Sequence, residues 1–440
     1  MRKKYILLII LLISFFVFFH NIDSIRFMLG KYFPTKTKVL IKELFFGKET
    51  TEQFRKNKEY GEMNYNQKLL PETQFTNINF KEVLLHDLNY RKGSSYKLIY
   101  QPLSIKFFIE QFNDYLVTVD LEGKVFFINM QFITVLEDFN WIQVNSNLNS
   151  QDIKIRDVLI LNNEIYISYA EFGSEAKNCE TINISKAKIS KKELNFEIFF
   201  KSKACERLFN AGRMVFYNHD GKEGLLVTTS APGIQKNLAQ DDNSPFGKIL
   251  FIDFETNNYT IFSKGHREPQ GLAIDGKFIL SAEHGPRGGD EINLIQFGQN
   301  YGWPISSYGE PYLDQEKSSK VYDYLKNHSD HGFIEPIYSF VPSIGINQII
   351  KVPDDFSEYW KNNFLVTSLG GKTIYRILFD KNFTKLFYHE KIYIGNRIRD
   401  IYYIKEFNVF LLALEGNAGD AYTGGDFTIP SIGILSNSLE

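Results

Sequence analysis

Residues 265 to 304 concentrate glycine, proline and charged residues around one short apolar strand. The pairs Gly285-Pro286 and Gly288-Gly289 force irregular backbone, which turns carbonyl oxygens toward a ligand instead of into a sheet. Asp290 and Glu291 follow directly. Carbonyl and carboxylate oxygens together form the environment that calcium prefers. The same composition is also typical of an ordinary tight turn, so the residues alone leave both interpretations open.

A second pattern lies near the C-terminus, where Arg397 and Arg399 are two residues apart. On a β-strand this spacing places both side chains on one face. Two neighbouring guanidinium groups suit a ligand with several carboxylates, because each planar group can bind a carboxylate through two hydrogen bonds. The alternative is a solvated or ion-paired strand face, which is the commoner explanation of an isolated Arg-x-Arg sequence.

The first window holds a longer ordered set of residues: Gly265-His266-Arg267, Pro269-Gln270-Gly271-Leu272, Glu283 to Glu291, Asn293-Leu294 and Asn300-Tyr301-Gly302-Trp303-Pro304. In order and spacing this set resembles the glucose/sorbosone dehydrogenase family, the soluble sugar dehydrogenases that use pyrroloquinoline quinone. The resemblance implies a six-bladed β-propeller with the cofactor at one mouth of its central channel. It extends over about residues 95 to 435 and is strongest from 240 to 305.

The resemblance also implies roles for individual residues. Four side chains would contact the quinone cofactor: Arg267, Gln270, Arg397 and Arg399. The carbonyls of Gly285 and Pro286 would hold a catalytic calcium, which polarises the quinone carbonyl that accepts hydride from the sugar. Glu291 and Tyr301 would belong to a second, structural calcium site.

Several positions depart from the family pattern. The family's proton-accepting histidine stands four residues before the arginine of a Gly-Arg pair; the pair here is Gly212-Arg213, and Phe209 occupies the position of the base. A phenyl ring cannot accept a proton. Ala231 replaces the aspartate that orients the base, Glu268 replaces an asparagine beside the cofactor, and Gly370 stands where a cofactor lysine is expected.

Two functional hypotheses follow from these matches and departures. The first is an exported sugar dehydrogenase dependent on pyrroloquinoline quinone and calcium, weakened by loss of its usual base, with His284 and His266 as the nearest substitutes in sequence. The second is a catalytically silent propeller whose mouth binds a sugar, a polymer or a protein partner. The first is favoured by the arginines and the calcium loop, the second by Phe209 and Ala231.

The composition predicts the elements that must position these residues. The chain of 440 residues is 43% hydrophobic and contains 40 Phe and 25 Tyr, residues that pack well in β-sheets. Fifty basic residues against 52 acidic ones leave a formal net charge of −2, which argues against nucleic-acid binding. An all-β fold is therefore expected.

A repeated pattern supports this prediction, because six apolar strands each end on Ser, Thr or Ala: Tyr115–Thr118, Ile165–Ser168, Leu225–Thr228, Phe278–Ser281, Phe364–Thr367 and Phe410–Ala413. Six repeats predict six blades of four antiparallel strands, with the ends of these strands converging on one axis. The longest interval follows Ser281 and predicts inserted loops near the site. Residues 120–123 predict a hairpin turn between two alternating strands.

The N-terminal part of the chain has a different character. Arg2, Lys3 and Lys4 precede an apolar run from Tyr5 to Phe19, which is typical of an export signal. No small-x-small cleavage sequence follows, so residues 1–21 are interpreted as an uncleaved membrane anchor, with a cleaved signal peptide as the alternative. Residues 22–74 are expected to form a short juxtamembrane helix and a tether, and residues 75–440 the propeller on the extracytoplasmic side.

The only two cysteines are Cys179 and Cys205. In an exported domain such a pair is usually a disulfide. Two free buried thiols are the alternative. A zinc site is disfavoured because no histidine lies at ligand spacing from either cysteine.

Overall fold

The computed structural model describes residues 78–84, 106–134, 140–148, 150, 152–172, 179–206, 210–311, 324–415 and 430–437. Within these ranges no helix is both long and apolar enough to cross a membrane. The predicted anchor over residues 1–21 and the predicted helix and tether over residues 22–74 lie outside the described residues. So does the predicted boundary between tether and propeller.

The described chain forms six antiparallel sheets that follow one another in sequence. In chain order the first five contain β2 (Phe107–Phe112), β3 (Tyr115–Asp120), β4 (Val125–Asn129) and β5 (Trp141–Ser146); β6 (Ile153–Leu161), β7 (Glu164–Phe172), β8 (Glu180–Lys188) and β10 (Glu197–Glu206); β11 (Met214–His219), β12 (Lys222–Thr228), β13 (Lys248–Asp253) and β14 (Tyr259–Lys264); β15 (Pro269–Asp275), β16 (Phe278–Glu283), β17 (Asp290–Ile295) and β18 (Tyr338–Phe340); and β19 (Ile346–Lys351), β20 (Asn363–Ser368), β21 (Thr373–Phe379) and β22 (Leu386–Tyr393).

The sixth sheet joins the two ends of the described chain. It contains β23 (Ile398–Ile404), β24 (Val409–Leu414), β25 (Ser431–Asn437) and β1 (Ile78–Leu84), in that order. The first sheet also gains a two-residue strand, β9 (Glu193–Leu194), which pairs with β5 in parallel. The described helices are short 3₁₀ turns in the connections: Met130–Ile133, Gly233–Gln240, His328–His331, Glu358–Trp360 and Lys405–Phe407.

The first strand of each sheet contacts the first strand of the next, from β2 through β6, β11, β15, β19 and β23 and back to β2. The sheets are therefore the blades of a closed six-bladed β-propeller, and the predicted all-β fold of four-stranded blades is confirmed. We number the blades 1 to 6 in chain order. Pairing of β1 with β25 places an N-terminal strand in the C-terminal blade, which closes the ring.

The hydrophobic core is divided among the interfaces between blades. Six clusters of buried apolar residues are found in the described chain, and each joins two neighbouring blades. Between blades 1 and 6, for example, Phe107 and Phe126 pack with Leu411 and Ile434. Because each blade buries its faces against its neighbours, the ring is the unit that folds.

All six repeated strands identified in the sequence are real, but each is the second strand of its blade: β3, β7, β12, β16, β20 and β24. The strands that line the axis are the preceding ones, which corrects the expectation that the repeated strands converge there. The predicted hairpin at residues 120–123 joins β3 to β4 as expected.

The predicted disulfide is present, with an S–S distance of 2.09 Å between Cys179 and Cys205. It links the residue before β8 to β10, the outermost strand of blade 2. The two cysteines are 26 residues apart in sequence. A loop of this length predicts a stabilisation of about 3 kcal/mol through restriction of the unfolded chain.

Candidate functional site

The mouth of the propeller is defined by the register of the first two strands of each blade. The first residue of β15 pairs with the last residue of β16, Pro269 with Glu283, and Ile398 of β23 pairs with Leu414 of β24. Residues just before a first strand and just after a second strand therefore lie at the same end of the blade. Arg267, His284, Arg397 and Glu415 occupy such positions.

Arg213 lies at the centre of this end, directly before β11. Its Nη1 donates to Asp157 Oδ1 of β6 at 2.5 Å and to Asp400 Oδ1 of β23 at 3.1 Å. Its Nε donates to the carbonyl of Gln270 on β15 at 3.1 Å. The arginine and both aspartates are almost completely buried. Arg213 thus ties together first strands from four blades around the axis.

The two aspartates extend the same network through backbone amides. Met214 N donates to Asp157 Oδ2 at 2.7 Å, and Ile109 N of β2 donates to Asp400 Oδ2 at 3.1 Å. Each carboxylate therefore bridges one strand to another. On the remaining first strand, β19, Asn347 donates its side-chain amide to the Ile398 carbonyl at 3.0 Å.

A third acid, Glu110, lies beside this network. Burial raises the pKa of Glu110 well above its usual value, and the neighbouring Asp400 and Asp157 raise it further. Burial likewise raises the pKa of Asp157 to about 7, against the opposing effect of Arg213. Burial and the two neighbouring carboxylates therefore both favour the protonated form of Glu110.

We expect Glu110→Gln to flatten the dependence of stability on pH. An acid whose pKa is higher in the folded state than in the unfolded state stabilises the folded protein when it is protonated. This contribution is complete below the pKa of the unfolded chain, near 4, and is lost as the pH rises through the pKa of the folded state. The wild-type free energy of unfolding should therefore fall with rising pH by up to about 1.4 kcal/mol per unit from this group. Urea unfolding between pH 5 and 8 measures the slope. Glu122→Gln, in a surface turn, is the control, and equal slopes in wild type and Glu110→Gln would contradict the assignment.

Arg267 and Gln270, two of the predicted cofactor contacts, lie together and share one carboxylate. Arg267 Nη1 donates to the His284 carbonyl at 2.9 Å and lies 3.4 Å from Glu268 Oε2. Gln270 Nε2 donates to Glu268 Oε1 at 3.1 Å. The Arg267 guanidinium carbon also lies 5.5 Å from the ring centre of Trp303. Arg267 Nε is buried without a hydrogen-bond partner among the described residues.

The predicted pair Arg397 and Arg399 also shares one carboxylate. Arg397 Nε donates to Glu415 Oε2 at 2.6 Å and Arg399 Nε to Glu415 Oε1 at 2.5 Å. Burial raises the pKa of Glu415, but the two arginines outweigh it and lower the pKa below its usual value. Glu415 was not identified from the sequence. Its position could have indicated a role at the mouth, because Glu415 directly follows β24 just as His284 directly follows β16.

Two further cations at this mouth were also missed. Lys106 directly precedes β2, as Arg397 precedes β23, and Arg156 lies on β6. Burial lowers the pKa of Lys106, and Arg399 lowers it further. Burial lowers the pKa of Arg156 to about 10. Both groups interact electrostatically with Arg399, so the arginine pair belongs to a larger cationic cluster.

The predicted calcium loop is tightly folded. A side chain at Gly285 would place its Cβ 2.0 Å from the Gly289 carbonyl oxygen, so only glycine fits. Asp290 fixes the loop, because its Oδ1 accepts the Gly285 amide at 3.0 Å and its Oδ2 accepts the amides of Ile344 and Ile346 at 2.9 Å. The carboxylate of Asp290 is thus used to hold the loop against blade 5.

A small cavity adjoins this loop, lined by Gly265, Arg267, Glu283, His284, Gly285, Pro286, Glu291, Tyr301, Trp303, Ser306, Ser307 and His328. Five of these residues, from Tyr301 onward, come from the long connection between β17 and β18, where the sequence predicted inserted loops near the site. Six of the eight predicted cofactor and metal residues lie in or beside the cavity. Arg397 and Arg399 lie on blade 6.

Glu291 and Tyr301 are brought together by a residue that the sequence analysis did not identify. His328 Nδ1 lies 3.1 Å from the Tyr301 carbonyl oxygen, and its Nε2 lies 3.6 Å from Glu291 Oε1. The Tyr301 hydroxyl donates to the Leu294 carbonyl at 2.6 Å. Burial raises the pKa of Glu291 well above its usual value and lowers that of His328. Burial therefore disfavours the charged form of both side chains at the predicted structural calcium site.

The described residues contain no group of three histidine, cysteine or acidic side chains arranged for a metal. A cation beside the loop would therefore depend on the carbonyls of Gly285 and Pro286, which is the donor set expected from the sequence. Those oxygens suit a hard cation such as calcium.

Of the two positions where the family has its base and the aspartate that orients it, the structure describes only the second, Ala231. Phe209 lies outside the described residues. Ala231 is fully buried at the mouth, where its amide donates to the Arg267 carbonyl at 2.8 Å and its carbonyl accepts from Trp303 Nε1 at 2.9 Å. Its methyl group offers no hydrogen bond to a base.

The two substitute histidines differ sharply in their surroundings. His266 is fully buried, with Nε2 2.8 Å from Ser263 Oγ and Nδ1 3.0 Å from Glu283 Oε2, so both ring nitrogens are engaged. His284 lines the cavity, its side chain is 18% exposed, and its Nδ1 lies 3.9 Å from Asp290 Oδ1, beyond hydrogen-bond distance. His284 is therefore the better placed of the two to contact a ligand.

Comparison with known proteins identifies the family of this chain. The family model for Glucose / Sorbosone dehydrogenase matches residues 99–421, well over half of the chain. This chain belongs to the glucose/sorbosone dehydrogenase family. Among curated relatives, the aldose sugar dehydrogenase YliI of Escherichia coli (strain K12) is 28% identical over 257 residues, which span 54% of this chain and 66% of that protein. The match thus covers just under two thirds of the relative's length.

Solved structures share the fold at lower identity. The soluble aldose sugar dehydrogenase from Escherichia coli in its apo form superposes with a TM-score of 0.61 and 18% identity, covering 82% of this chain and 100% of that one. The pyrroloquinoline quinone-bound form of an aldose sugar dehydrogenase from Streptomyces coelicolor gives 0.55 and 17%, covering 82% and 99%. At this identity the likeness establishes the fold.

The charge of the mouth fits a carboxylated cofactor. Arg267, Arg397 and Arg399 are cationic, and the unpartnered Nε of Arg267 is a free donor within the described site. Guanidinium groups bind carboxylates well. Glu268 and Glu415 oppose this fit, because each already occupies the guanidinium groups beside it.

Proposed function

We propose that this chain is a membrane-tethered, exported aldose sugar dehydrogenase that depends on pyrroloquinoline quinone and calcium and works slowly. The reaction is oxidation of a sugar C1 hydroxyl. The observation that carries the proposal is the cationic mouth of the propeller, where Arg267 lies beside the Gly285-Pro286 loop and Arg397 and Arg399 project from blade 6. The family supports the reaction class.

Each group of residues has a distinct task in this proposal. Arg267, Arg397 and Arg399 hold the carboxylates of the cofactor, and Gln270 adds a neutral donor. The carbonyls of Gly285 and Pro286 hold calcium. A bound quinone would supply the hydride acceptor for the sugar, and a bound calcium would supply a Lewis acid beside it.

The sugar hydroxyl must also lose a proton as hydride leaves its carbon. His284 is the residue of this chain that we assign to accept it, because its ring lines the cavity and is not hydrogen-bonded to Asp290. His266 is unsuited, since both of its nitrogens are engaged in the core. Without a side chain at position 231 that could orient a base, His284 would be less well aligned than the usual histidine, and turnover would be slow.

Titration of the purified protein with pyrroloquinoline quinone in excess calcium tests the proposal directly. The expected result is saturable binding of the quinone, followed by slow reduction of a dye when an aldose is added. Arg267→Ala and Arg399→Ala should weaken the binding of the quinone. Absence of both quinone binding and dye reduction would refute the proposed activity.

Calcium removal should lower the melting temperature of the protein by several degrees. A cation held by the Gly285 and Pro286 carbonyls binds only the folded loop, so it stabilises the folded state by a free energy that grows with the logarithm of its free concentration. Differential scanning calorimetry in chelator and in millimolar calcium measures the effect. Magnesium is the control, since it prefers a smaller octahedral site. Identical melting curves in chelator and in calcium would show that the loop is only a turn.

We further propose that residues 1–21 anchor the protein in the membrane with the propeller on the extracytoplasmic side. The basic-then-apolar N-terminus and the Cys179–Cys205 disulfide support this placement, because disulfides persist in oxidising compartments. Mass spectrometry of the membrane fraction should find an N-terminus at or near Met1. A mature start beyond residue 21 would identify a cleaved signal peptide instead.

A second candidate is a catalytically silent propeller that binds a sugar, a polymer or a protein partner at the same mouth. Two observations favour it: Ala231 offers no orienting carboxylate, and Glu268 and Glu415 already pair with the arginines. Binding of a saccharide without any dye reduction, in protein saturated with quinone and calcium, would favour this candidate over the dehydrogenase.

A further inference from the structure

Two acidic side chains of the chain itself sit on the arginines that face the mouth. Glu415 accepts hydrogen bonds from Nε of both Arg397 and Arg399, and Arg399 Nη2 contacts the same Glu415 Oε1. The Glu415 side chain is 2% exposed, whereas those of Arg397 and Arg399 are 42% and 12% exposed. One buried carboxylate thus pairs with one exposed guanidinium group, that of Arg397, and one largely buried guanidinium group, that of Arg399.

Glu268 likewise pairs with an arginine of the mouth, Arg267 on blade 4. One of its oxygens lies 3.4 Å from Arg267 Nη1, and the other accepts from Gln270 Nε2 at 3.1 Å. The Glu268 side chain is 17% exposed. The carbonyl of the preceding residue, Arg267, accepts the amide of the buried Ala231. Both donors expected to contact the cofactor on blade 4 therefore already serve a carboxylate of the chain.

We propose that Glu268 and Glu415 determine which anionic ligands enter the mouth, by competing with ligand carboxylates for the same guanidinium groups. The identity of the natural ligand rests on the function proposed above, but the competition itself does not. Each internal carboxylate cancels one positive charge and occupies donor hydrogens. A ligand with several carboxylates must break these pairs or accept like charges at short range, whereas a ligand with one carboxylate needs only a single guanidinium group.

The competition is unequal at the two arginines of blade 6. Arg399 places Nε and Nη2 on Glu415, while Arg397 uses only Nε and is the more exposed. Arg397 therefore keeps outward-facing donors for a first ligand carboxylate. Recruitment of Arg399 for a second carboxylate requires its release from Glu415. The mouth as built favours ligands of low charge.

Isothermal titration with two probes tests this inference: benzoate, with one carboxylate, and benzene-1,3,5-tricarboxylate, with three. In Glu268→Gln and Glu415→Gln, the affinity for the tricarboxylate should rise at least about tenfold, because a like charge at hydrogen-bond distance is removed. The affinity for benzoate should change little. Glu390→Gln is the matched control, since Glu390 accepts from Arg376 Nε at 2.6 Å in the outer strands of blade 5.

The outcomes separate the inference from the proposed function. Unchanged or weaker tricarboxylate binding in both variants would overturn the inference, because the carboxylates would then orient the arginines without competing for them. A gain for the tricarboxylate without any binding of pyrroloquinoline quinone would support the inference and refute the proposed cofactor. Glu268 is partly exposed, so Glu268→Gln keeps the test decisive if Glu415→Gln fails to fold.

Discussion

Replacement of Arg213 by Met is expected to lower the free energy of unfolding by about 3–5 kcal/mol, which is the usual cost of removing one partner of a buried ion pair. The cost should be at the upper end of this range. Arg213 is the cation that neutralises both Asp157 and Asp400, so its removal takes the partner charge from two buried carboxylates at once. Without the arginine, these groups must either take up protons or remain as buried, uncompensated charges.

Equilibrium unfolding in urea at pH 7, followed by tryptophan fluorescence and circular dichroism, measures this effect. Asp157→Asn combined with Asp400→Asn in the Arg213→Met background should recover much of the loss, because the buried negative charge is then removed as well. Arg213→Lys should be intermediate, since an ammonium group cannot bridge two aspartates and the Gln270 carbonyl with the same fixed geometry. Equal stability of wild type and Arg213→Met would show that the network does not hold the ring together.

The fold could be predicted from the sequence because the second strand of each blade is buried on both faces. β20 and β24, for instance, are buried along their whole length and therefore appear as continuous apolar runs. The first strands do not have this character. The first four residues of β6 alternate buried with partly exposed, and in β11 only Met214 is buried, so neither strand appears in the sequence as a continuous apolar run.

The site was predictable only where its parts are close in sequence. The glycine-rich loop and the Arg397–Arg399 pair are local patterns that are visible in the sequence, and the resemblance to the family favoured a binding role for each. Their partners are not local: Arg213 and Asp400 are 187 residues apart, and Asp290 holds the amide of Ile346 across 56 residues. Such pairs arise because the ring brings residues of different blades together at the mouth, and no short-range pattern encodes that proximity.

The arginine pair forms an ion pair with Glu415, which is one of the two interpretations of its spacing, and the ligand-binding interpretation stays a prediction. The sequence allowed either a carboxylate-binding site or an ion-paired strand face. In the structure the pair does bind a carboxylate, that of Glu415, yet Arg397 remains 42% exposed and open to a ligand. An internal ion pair therefore does not exclude a binding role, because the exposed donors of the same side chain remain free.

Replacement of His284 by Gln should reduce any sugar oxidation by about 10²–10⁴-fold, which corresponds to the loss of a general base and about 3–5 kcal/mol of transition-state stabilisation. Glutamine preserves the size and a hydrogen-bonding group but cannot accept the proton. Because the His284 ring lies 3.9 Å from Asp290 and is partly exposed, its removal should leave the melting temperature nearly unchanged. Dye-linked oxidation of an aldose, with quinone and calcium in excess, measures kcat.

His266→Gln provides the contrasting control. His266 is buried between Ser263 and Glu283, and its ring stacks on Tyr301 with centres 4.7 Å apart. Its replacement should therefore lower the melting temperature, since a packed and hydrogen-bonded side chain is lost from the core. Turnover per folded molecule should fall far less than in His284→Gln. If kcat of His284→Gln equals that of wild type, the proton is accepted elsewhere, and Phe209→His with Ala231→Asp becomes the decisive variant, because it restores the family's base and its orienting carboxylate at the positions where this chain lacks both.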